Sequence, residues 1–300
     1  MKSYFPQTAT LLAIFMTVFH AHPGLAEDVH VALFGGSSVA TTYLPEESKH
    51  HVVLEKELTK AYSGQTIKVS NFADNGEFVA RYLLRGTYEK HRESISGIDI
   101  AIIRFGTNDI KRMDVAEYRA QLEKFMELLK NDFPGIQIIL ETGMYVDYPA
   151  HYTSDRNKKL NPAWQVSRDI AARDTYPLVD YYETVKAETA AGNWDVRVRA
   201  KRKDKPAAEQ FILDASQDAG KENDPKWFTD IHPNPKGVQM AVREEVKTLK
   251  AHFPEKLPSG TKALQREAKS AADYSEYLNF PAARLELKGK NPDQLQEATH

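Results

Sequence analysis

The feature of this sequence that most constrains its fold is an alternation of short apolar runs with longer amphipathic stretches. The runs are rich in β-branched residues and have the length of strands buried on both faces. Strands that alternate with helices form βα units, and βα units build a parallel sheet with helices on both sides. We therefore predict an α/β fold with five strands, at Val29–Phe34, Thr66–Asn71, Ile98–Phe105, Ile136–Thr142 and Pro177–Asp180.

Two of the amphipathic stretches carry apolar residues at helical spacing. The first stripe consists of Leu122, Phe125, Met126 and Leu129, and the second of Val238, Val242, Val246 and Leu249. Such stripes are typical of helix faces that pack on a core, and we do not interpret them as cofactor sites. The second helix is predicted to begin at Asn234-Pro235, because asparagine caps helix N-termini and proline is tolerated in the first turn.

Composition narrows the chemistry that the chain can perform. Hydrophobic residues make up 41% of the 300 residues and charged residues 27%, which are values of a globular protein. The net charge of −2 argues against nucleic-acid binding by bulk charge. The absence of cysteine excludes disulfides, thiolate metal sites, iron–sulfur clusters and a cysteine nucleophile. Any reaction must therefore use Ser, His, Asp, Glu, Lys or Tyr.

The first 26 residues have the pattern of a secretory signal. Lys2 precedes an apolar run from Ala9 to Phe19, and small residues precede a predicted cleavage site after Ala26. The run is shorter than the roughly 20 residues that span a bilayer. We expect a chain exported to the periplasm or the exterior, with no stable membrane insertion after cleavage; an uncleaved N-terminal anchor is the alternative.

The remaining chain is predicted to form one domain, residues 27–254, followed by a polar appendage at 255–300 with a possible helix near Lys262–Tyr277. An insertion at about 191–226 interrupts the βα rhythm and contains a basic stretch from Arg197 to Lys205. Long insertions in compact domains are usually functional or mobile. The basic stretch indicates either a solvated charged loop or a segment that favours anionic substrates.

Polar, glycine-bearing turns follow the first three predicted strands. Ser37 follows Gly35-Gly36 at the end of the first strand, Asn71–Gly76 ends the second, and Gly106–Asp109 ends the third. Ligands of open α/β sheets bind at the carboxyl ends of the strands. His232 lies in the loop before the capped helix. A serine, two turns that can donate hydrogen bonds and a late histidine are the components of an acyl-transfer site.

These four blocks, in this order, resemble those of the SGNH hydrolases, also called the GDSL family of esterases and lipases. The resemblance covers residues 29 to about 253. It implies a flavodoxin-like three-layer α/β/α fold with a five-stranded parallel sheet. It also implies that Ser37 is the nucleophile, that His232 is the base, and that the Ser37 N–H, the Gly76 N–H and the Asn108 side chain form the oxyanion hole.

The sequence departs from the family pattern at two positions. Gly36 replaces the usual aspartate of the nucleophile block, where a supporting role is expected. The family places its third catalytic acid three residues before the histidine, where this chain has Thr229; Asp230 is two residues before it. In an extended loop Asp230 could reach the imidazole Nδ1. Otherwise a backbone carbonyl or a residue such as Asp224 would orient His232, and the site would be a dyad.

Other polar residues have simpler interpretations. We expect His50 and His51 to be solvated on a helix, and Asp74, Glu77 and Asp109 to serve turns and caps, so that no metal or cofactor is predicted. Five aromatic residues near the expected site could stack on sugar rings or simply pack: Tyr145, Tyr148, Tyr152, Trp194 and Trp227.

The sequence therefore predicts an exported serine esterase that acts on a small-molecule or polysaccharide ester. The simplest substrate would be an O-acetyl group on a carbohydrate or small glycoconjugate. A lysophospholipase or thioesterase acting on lipid esters is one alternative, although no conspicuous apolar stretch offers a place for an acyl chain. A binding protein with a decayed site on the same fold is another.

Overall fold

A computed structural model describes residues 27–146, 156–193, 196–201, 211–212 and 227–286. The predicted signal, residues 1–26, lies outside this part of the chain. The fold is α/β, as predicted, with a five-stranded sheet between two helical layers and a smaller second sheet.

The main sheet is entirely parallel. Its strands are β1 (Glu27–Gly35), β2 (Gln65–Asn71), β3 (Ile100–Arg104), β4 (Gln137–Glu141) and β5 (Leu178–Val179). Their spatial order is β2-β1-β3-β4-β5. This is the flavodoxin-like order, in which the chain moves outward from β1 in both directions. All five predicted strands are present, with ends displaced by a few residues.

Nine α-helices are found in the described part of the chain. They are α1 (Ser37–Ala40), α2 (His50–Ala61), α3 (Val79–Leu84), α4 (Thr87–Glu93), α5 (Val115–Asp132), α6 (Arg156–Asp174), α7 (Tyr181–Ala190), α8 (Pro235–His252) and α9 (Ala271–Leu278). The predicted cap of α8 is present, because the Asn234 side chain accepts a hydrogen bond from the Gly237 N–H. Within these residues no helix has the length and apolarity required to cross a membrane.

The sheet separates two apolar cores. Side chains alternate along β1, so Ala32 and Phe34 face one core while Val31 and Leu33 face the other. The first core is completed by α3, α4, α5, α6 and α9, and the second by α2, α7 and α8. The predicted stripes on α5 and α8 face these cores, although Val246 is only partly buried. Both faces of the sheet are thus covered, as a parallel sheet requires.

The insertion forms part of a second, antiparallel sheet. Its strands β6 (Arg197–Lys201), β7 (Phe211–Ile212) and β8 (Trp227–Pro233) have the order β7-β6-β8. Arg197, expected in a solvated basic loop, is only 2% exposed and donates to the Tyr145 carbonyl at 3.3 Å. Charge density along the sequence did not indicate this burial, because the carbonyl that the side chain binds lies 52 positions away in sequence. Residues 202–210 lie outside the described chain.

The described part of the C-terminal tail packs on the first core instead of standing apart as a polar appendage. Tyr274, Leu278 and Phe280 are buried there, around the helix α9. Arg266 adds ion pairs to Glu89 and Asp132, at 2.9 and 2.6 Å. The predicted helix is real but shorter, because the Ser270 and Asp273 side chains form a capping box that begins it at Ala271.

The packing of the tail can be tested with two leucines. Leu278 is 4% exposed, whereas Leu264, in the same tail, is 52% exposed. We expect Leu278→Ala to lower the free energy of unfolding by about 2–5 kcal/mol, because it leaves a cavity in the core. Leu264→Ala should change it by no more than about 0.5 kcal/mol. Urea denaturation measures both values, and equal effects would show that the tail does not belong to the core.

Candidate active site

The candidate site lies where the strand order reverses. The connection from β1 leads to β2 on one side, whereas β3 pairs with the other edge of β1. Turns that follow β1 and β3 therefore diverge and leave a crevice at the carboxyl end of the sheet, which is where such folds bind ligands. Ser37 comes after β1 and Asn108 after β3, so the topology brings both residues to this crevice.

Close packing determines the turn between β1 and α1. A Cβ atom at Gly35 would lie 2.5 Å from the Arg104 carbonyl oxygen and 2.7 Å from Val39 Cγ2. No side chain fits there, so glycine is required for the first strand to turn directly into a helix. The Gly36 carbonyl then accepts hydrogen bonds from the Val39 and Ala40 N–H groups. Ser37 is consequently the first residue of a short helix, with a partly exposed side chain.

Ser37 and His232 are in direct contact across 195 residues of sequence. The distance between Ser37 Oγ and His232 Nε2 is 2.6 Å. Tyr43 packs edge-on against the imidazole, with 5.3 Å between ring centroids, and donates from its hydroxyl to the Pro233 carbonyl at 2.7 Å. The ring of His232 is therefore supported on one face, and the loop that follows it is tied to the region after α1.

An irregularity of β8 coincides with the histidine. Arg199 pairs with Thr229 and Arg197 with Pro233, so β8 advances four residues while β6 advances two. Extra residues of this kind form bulges, which redirect side chains and are frequent beside active sites. The bulge spans Asp230 and His232, so strict alternation along the strand does not decide whether they share a face. The side chain of Asp230 lies outside the described part of the structure.

Hydrogen bonds on both ends of its amide orient Asn108. Its Nδ2 donates to the Glu77 carbonyl at 3.0 Å, and its Oδ1 accepts from Lys111 Nζ at 3.1 Å. Because lysine can only donate, Oδ1 must face Lys111 and the amide nitrogen must face the crevice side. An amide nitrogen carries two hydrogens, so the second remains for a ligand.

The same amide explains the glycine at position 36. A Cβ atom there would lie 3.1 Å from Asn108 Nδ2 and 3.3 Å from the Glu77 carbonyl oxygen. Both separations are tighter than ordinary contacts, so a larger residue would have to displace the amide. The departure from the family pattern at Gly36 therefore places Asn108 close to the backbone of the serine turn.

Asp109 organises the turn after β3, in agreement with the predicted turn role. It is fully buried and accepts hydrogen bonds from the Gly106 N–H at 2.7 Å and from the Val79 N–H at 2.9 Å. Burial raises the pKa of this carboxyl to about 6, while the backbone donors favour its ionised form. Asp109 thus joins the turn after β3 to the start of α3.

A small cavity lies beside Ser37. Among the described residues it is lined by Gly36–Ser38, Glu77, Arg104–Asn108 and Ile231. Residues of the first and third sequence blocks therefore line the cavity, together with Glu77 and Ile231, which are the immediate neighbours of the second and fourth blocks. Gly76 is not among these lining residues; it occupies an exposed turn with φ of +70°, directly before Glu77.

Glu77 is a buried carboxyl at the edge of this cavity. Its side chain is 1% exposed and its Oε1 lies 3.6 Å from Arg81 Nε. Burial raises the pKa of Glu77 to about 7, and the neighbouring Arg81 acts in the opposite direction. The sequence suggested a turn residue, and the structure adds that its carbonyl holds the Asn108 amide.

Sequence reasoning missed a buried polar cluster behind the serine turn. Arg104 at the end of β3, Glu141 at the end of β4, Glu245 on α8 and His50 on α2 are each at most 3% exposed. His50, expected to be solvated, binds Glu245 through Nε2 at 2.8 Å. The sequence did contain one indication of this cluster, an arginine within the apolar run of β3. Charged residues are seldom buried without a partner, so this arginine indicates a buried acidic residue nearby.

Of the other candidates from the sequence, the structure describes only the side chain of Tyr145. Tyr145 packs edge-on against Tyr182 at 5.4 Å, between the two cores. The side chains of Tyr148, Tyr152, Trp194, Trp227 and Asp224 lie outside the described residues. Within the residues that the structure describes, no group of three or more histidine or acidic side chains could hold a metal ion.

The family model for GDSL-like lipases and acylhydrolases matches residues 33–240. The match covers more than half of the chain, so the chain belongs to the GDSL-like lipase/acylhydrolase family, whose members hydrolyse esters and related acyl bonds. The comparison with curated protein sequences produced no match.

Solved structures of this family share the fold. A lipase/acylhydrolase from Enterococcus faecalis is 21% identical, with 79% of this chain and 100% of that chain covered and a TM-score of 0.50. A lipolytic G-D-S-L family protein from Veillonella parvula is 16% identical, with coverages of 73% and 97% and a TM-score of 0.50. A variant of an acetyl-xylooligosaccharide esterase from Geobacillus is 17% identical, with coverages of 75% and 95% and a TM-score of 0.50.

Proposed function

We propose that this protein is an exported serine esterase that removes a small acyl group, most simply acetyl, from a carbohydrate or small glycoconjugate. The observation that carries the catalytic part of the proposal is the 2.6 Å contact between Ser37 Oγ and His232 Nε2 at the mouth of the cavity. A serine hydroxyl becomes a useful nucleophile when an adjacent base can take its proton.

In the proposed reaction Ser37 Oγ attacks the ester carbonyl carbon while its proton passes to His232 Nε2. The carbonyl oxygen becomes an oxyanion, which the Ser37 N–H, the Gly76 N–H and the second hydrogen of the Asn108 amide would stabilise. His232 then protonates the leaving alcohol, and an acyl-enzyme remains. Water activated by the same histidine hydrolyses it and restores Ser37.

Asp230 is our candidate for the residue that orients His232. It is the nearest acid in sequence, two residues before the histidine, and β8 carries both. The bulge in β8 weakens the argument from strand alternation, because an extra residue can reverse the side on which the next side chain emerges. A Ser37–His232 dyad oriented by a backbone group is the alternative.

The preference for a small acyl group is supported by the lining of the cavity. Of the described lining residues only Phe105 and Ile231 have large apolar side chains, whereas a long acyl chain needs an extended apolar wall. Export is inferred from the signal pattern of residues 1–26.

The nucleophile can be identified with two neighbouring serines. A fluorophosphonate probe should label the wild type and Ser38→Ala but not Ser37→Ala, because only Ser37 contacts the histidine. Ser38 is a matched control: it lies in the same turn, and its structural contact to Arg104 uses the backbone carbonyl, which alanine retains. Labelling that survives Ser37→Ala would refute the assignment.

The acyl preference can be measured with p-nitrophenyl esters of increasing chain length. We expect kcat/KM to be at least about tenfold higher for acetate than for decanoate, because the cavity offers little apolar surface to a long chain. Release of acetate from acetylated polysaccharides, measured in parallel, tests whether the alcohol of the substrate is a carbohydrate. A preference for decanoate would favour the lipid-esterase alternative.

Asn108 should act on the transition state. Asn108→Ala is expected to lower kcat by roughly 10²-fold or more with little change in KM, because an oxyanion donor binds the developing charge better than the neutral substrate. Asn193→Ala is a suitable control, since this exposed asparagine donates from its side chain to Glu188 on α7. A loss confined to KM would mean that Asn108 holds the substrate instead.

A further inference from the structure

The buried cluster behind the serine turn links the elements that carry Ser37 and His232. Arg104 Nη1 donates to the carbonyl of Ser38, the residue next to the nucleophile, at 3.2 Å. Arg104 Nη2 donates to Glu141 Oε1 at 2.5 Å and lies 3.7 Å from Glu245 Oε1. The guanidinium also stacks on the Tyr181 ring, with 5.1 Å from Cζ to the ring centroid. One cation thus joins α1, β3, β4 and α8.

The cluster reaches the other end of α1 through His50. Glu245 accepts from His50 Nε2, and the His50 backbone N–H donates to Thr41 Oγ1 at 3.0 Å. Thr41 is the C-terminal cap of α1. Both ends of the four-residue helix that begins with Ser37 are therefore tied to the same buried groups. Glu245 also belongs to α8, whose N-terminal cap Asn234 follows His232 by two residues.

Counting charges in the cluster gives an excess of negative charge if both carboxyl groups are ionised. Arg104 contributes one positive charge and Glu141 and Glu245 two negative ones, while burial lowers the pKa of His50 to about 3 and keeps it neutral. Both carboxyl groups approach the same nitrogen, Arg104 Nη2, with Glu141 Oε1 at 2.5 Å and Glu245 Oε1 at 3.7 Å. Glu141 Oε2 otherwise has no partner among the described groups. A proton on one carboxyl would satisfy this oxygen and make the buried cluster neutral.

We propose that Arg104, Glu141, Glu245 and His50 form a positioning network that holds the Ser37 turn against His232, with one proton shared by Glu141 and Glu245. The inference rests on the proposed function for its catalytic consequence. These residues do not touch the reacting atoms; they act through the Ser38 carbonyl and Thr41. Burial raises the pKa of each glutamate to about 7, which agrees with a proton retained near neutral pH.

The network has a pH-dependent consequence with a definite sign. A carboxyl group whose pKa is about 7 when folded and 4.5 when unfolded stabilises the fold fully below pH 4.5. That contribution is lost as the pH rises to about 7. His50 acts oppositely between about pH 3 and 6.5. The other groups that face the cluster are Arg104 and, from α7, Tyr181, which in turn faces Arg197 of β6.

Arg104→Lys tests the positioning role, because one ammonium group cannot bridge the Ser38 carbonyl and Glu141 as a guanidinium does. We expect the rate of fluorophosphonate labelling and kcat to fall by about 10- to 100-fold with little change in KM. Arg168→Lys is the matched control: Arg168 also pairs with an acid, Asp180, and stacks on a tyrosine, Tyr182, but does not contact the serine turn. Equal losses in the two variants would overturn the proposal.

Glu245→Gln tests the shared proton. It also provides a second test of the network if Arg104→Lys does not fold. The amide has the shape of the carboxyl and needs no shared proton. The wild-type labelling rate, divided by that of Glu245→Gln, should fall as the pH is raised from 6 to 8.5, because only the wild type acquires an uncompensated buried charge. Between about pH 4.5 and 7, the free energy of unfolding of the wild type should fall relative to that of Glu245→Gln. Ratios that do not change with pH would overturn the proposal.

An activity-independent measurement separates this proposal from the proposed function. In ¹⁵N-histidine NMR spectra the His232 ring signals should shift in Arg104→Lys and stay unchanged in Arg168→Lys. If the wild type is not labelled at Ser37 but this shift is observed, the esterase function fails and the network stands. If labelling at Ser37 is normal and neither the NMR signals nor the rate respond to Arg104→Lys, the network fails alone.

Discussion

Parallel pairing of β1 with both β2 and β3 is the constraint on which the rest of the molecule depends. Parallel neighbours need crossover connections, and here the chain leaves β1 toward one side to form β2 and returns on the other side to form β3. The turns after these two strands then diverge, and the crevice between them receives Ser37 from one and Asn108 from the other. The strand order therefore determines where the site lies. Contacts between residues that are distant in sequence then fix the positions of its side chains.

The residues of the serine turn and Asn108 are closely packed. Gly35 has no room for a side chain against β3, and Gly36 has little room beside the Asn108 amide. Hydrogen bonds from Asn108 to the Glu77 carbonyl, and from Lys111 to Asn108, leave the amide one orientation. Rigid surroundings matter for an oxyanion site, since preorganised donors need no rearrangement as negative charge develops. On the opposite side of the crevice, the bulge in β8 and the support of Tyr43 orient His232 toward Ser37.

Much of the fold and of the candidate site could be predicted because it depends on local patterns. The five strands are short runs rich in β-branched and other apolar residues, and the α8 cap is a local Asn-Pro signal. The misses involve partners distant in sequence. His50 was expected to be solvated, but Glu245 of α8 covers it from 195 residues away. Arg197 belongs to a stretch interpreted as a solvated loop or as a segment that favours anionic substrates, but its side chain is buried and donates to the Tyr145 carbonyl, 52 positions away. The overall polarity of the tail did not indicate that it packs on the core, because only a few of its residues, such as Tyr274 and Leu278, are buried there.

The sequence by itself determined the class of fold, the five strands of the sheet and the four blocks that identify the family, since periodicity, turn residues and motif spacing are properties of the linear chain. Only the tertiary structure decided the 2.6 Å approach of Ser37 to His232, the orientation of the Asn108 amide and the burial of two glutamates with one arginine behind the serine turn. The physical reason is that hydrogen-bond geometry, desolvation and shared protons depend on which groups meet in space. Residues separated by 37 to 195 positions meet only after the sheet has formed and both helical layers have packed on it.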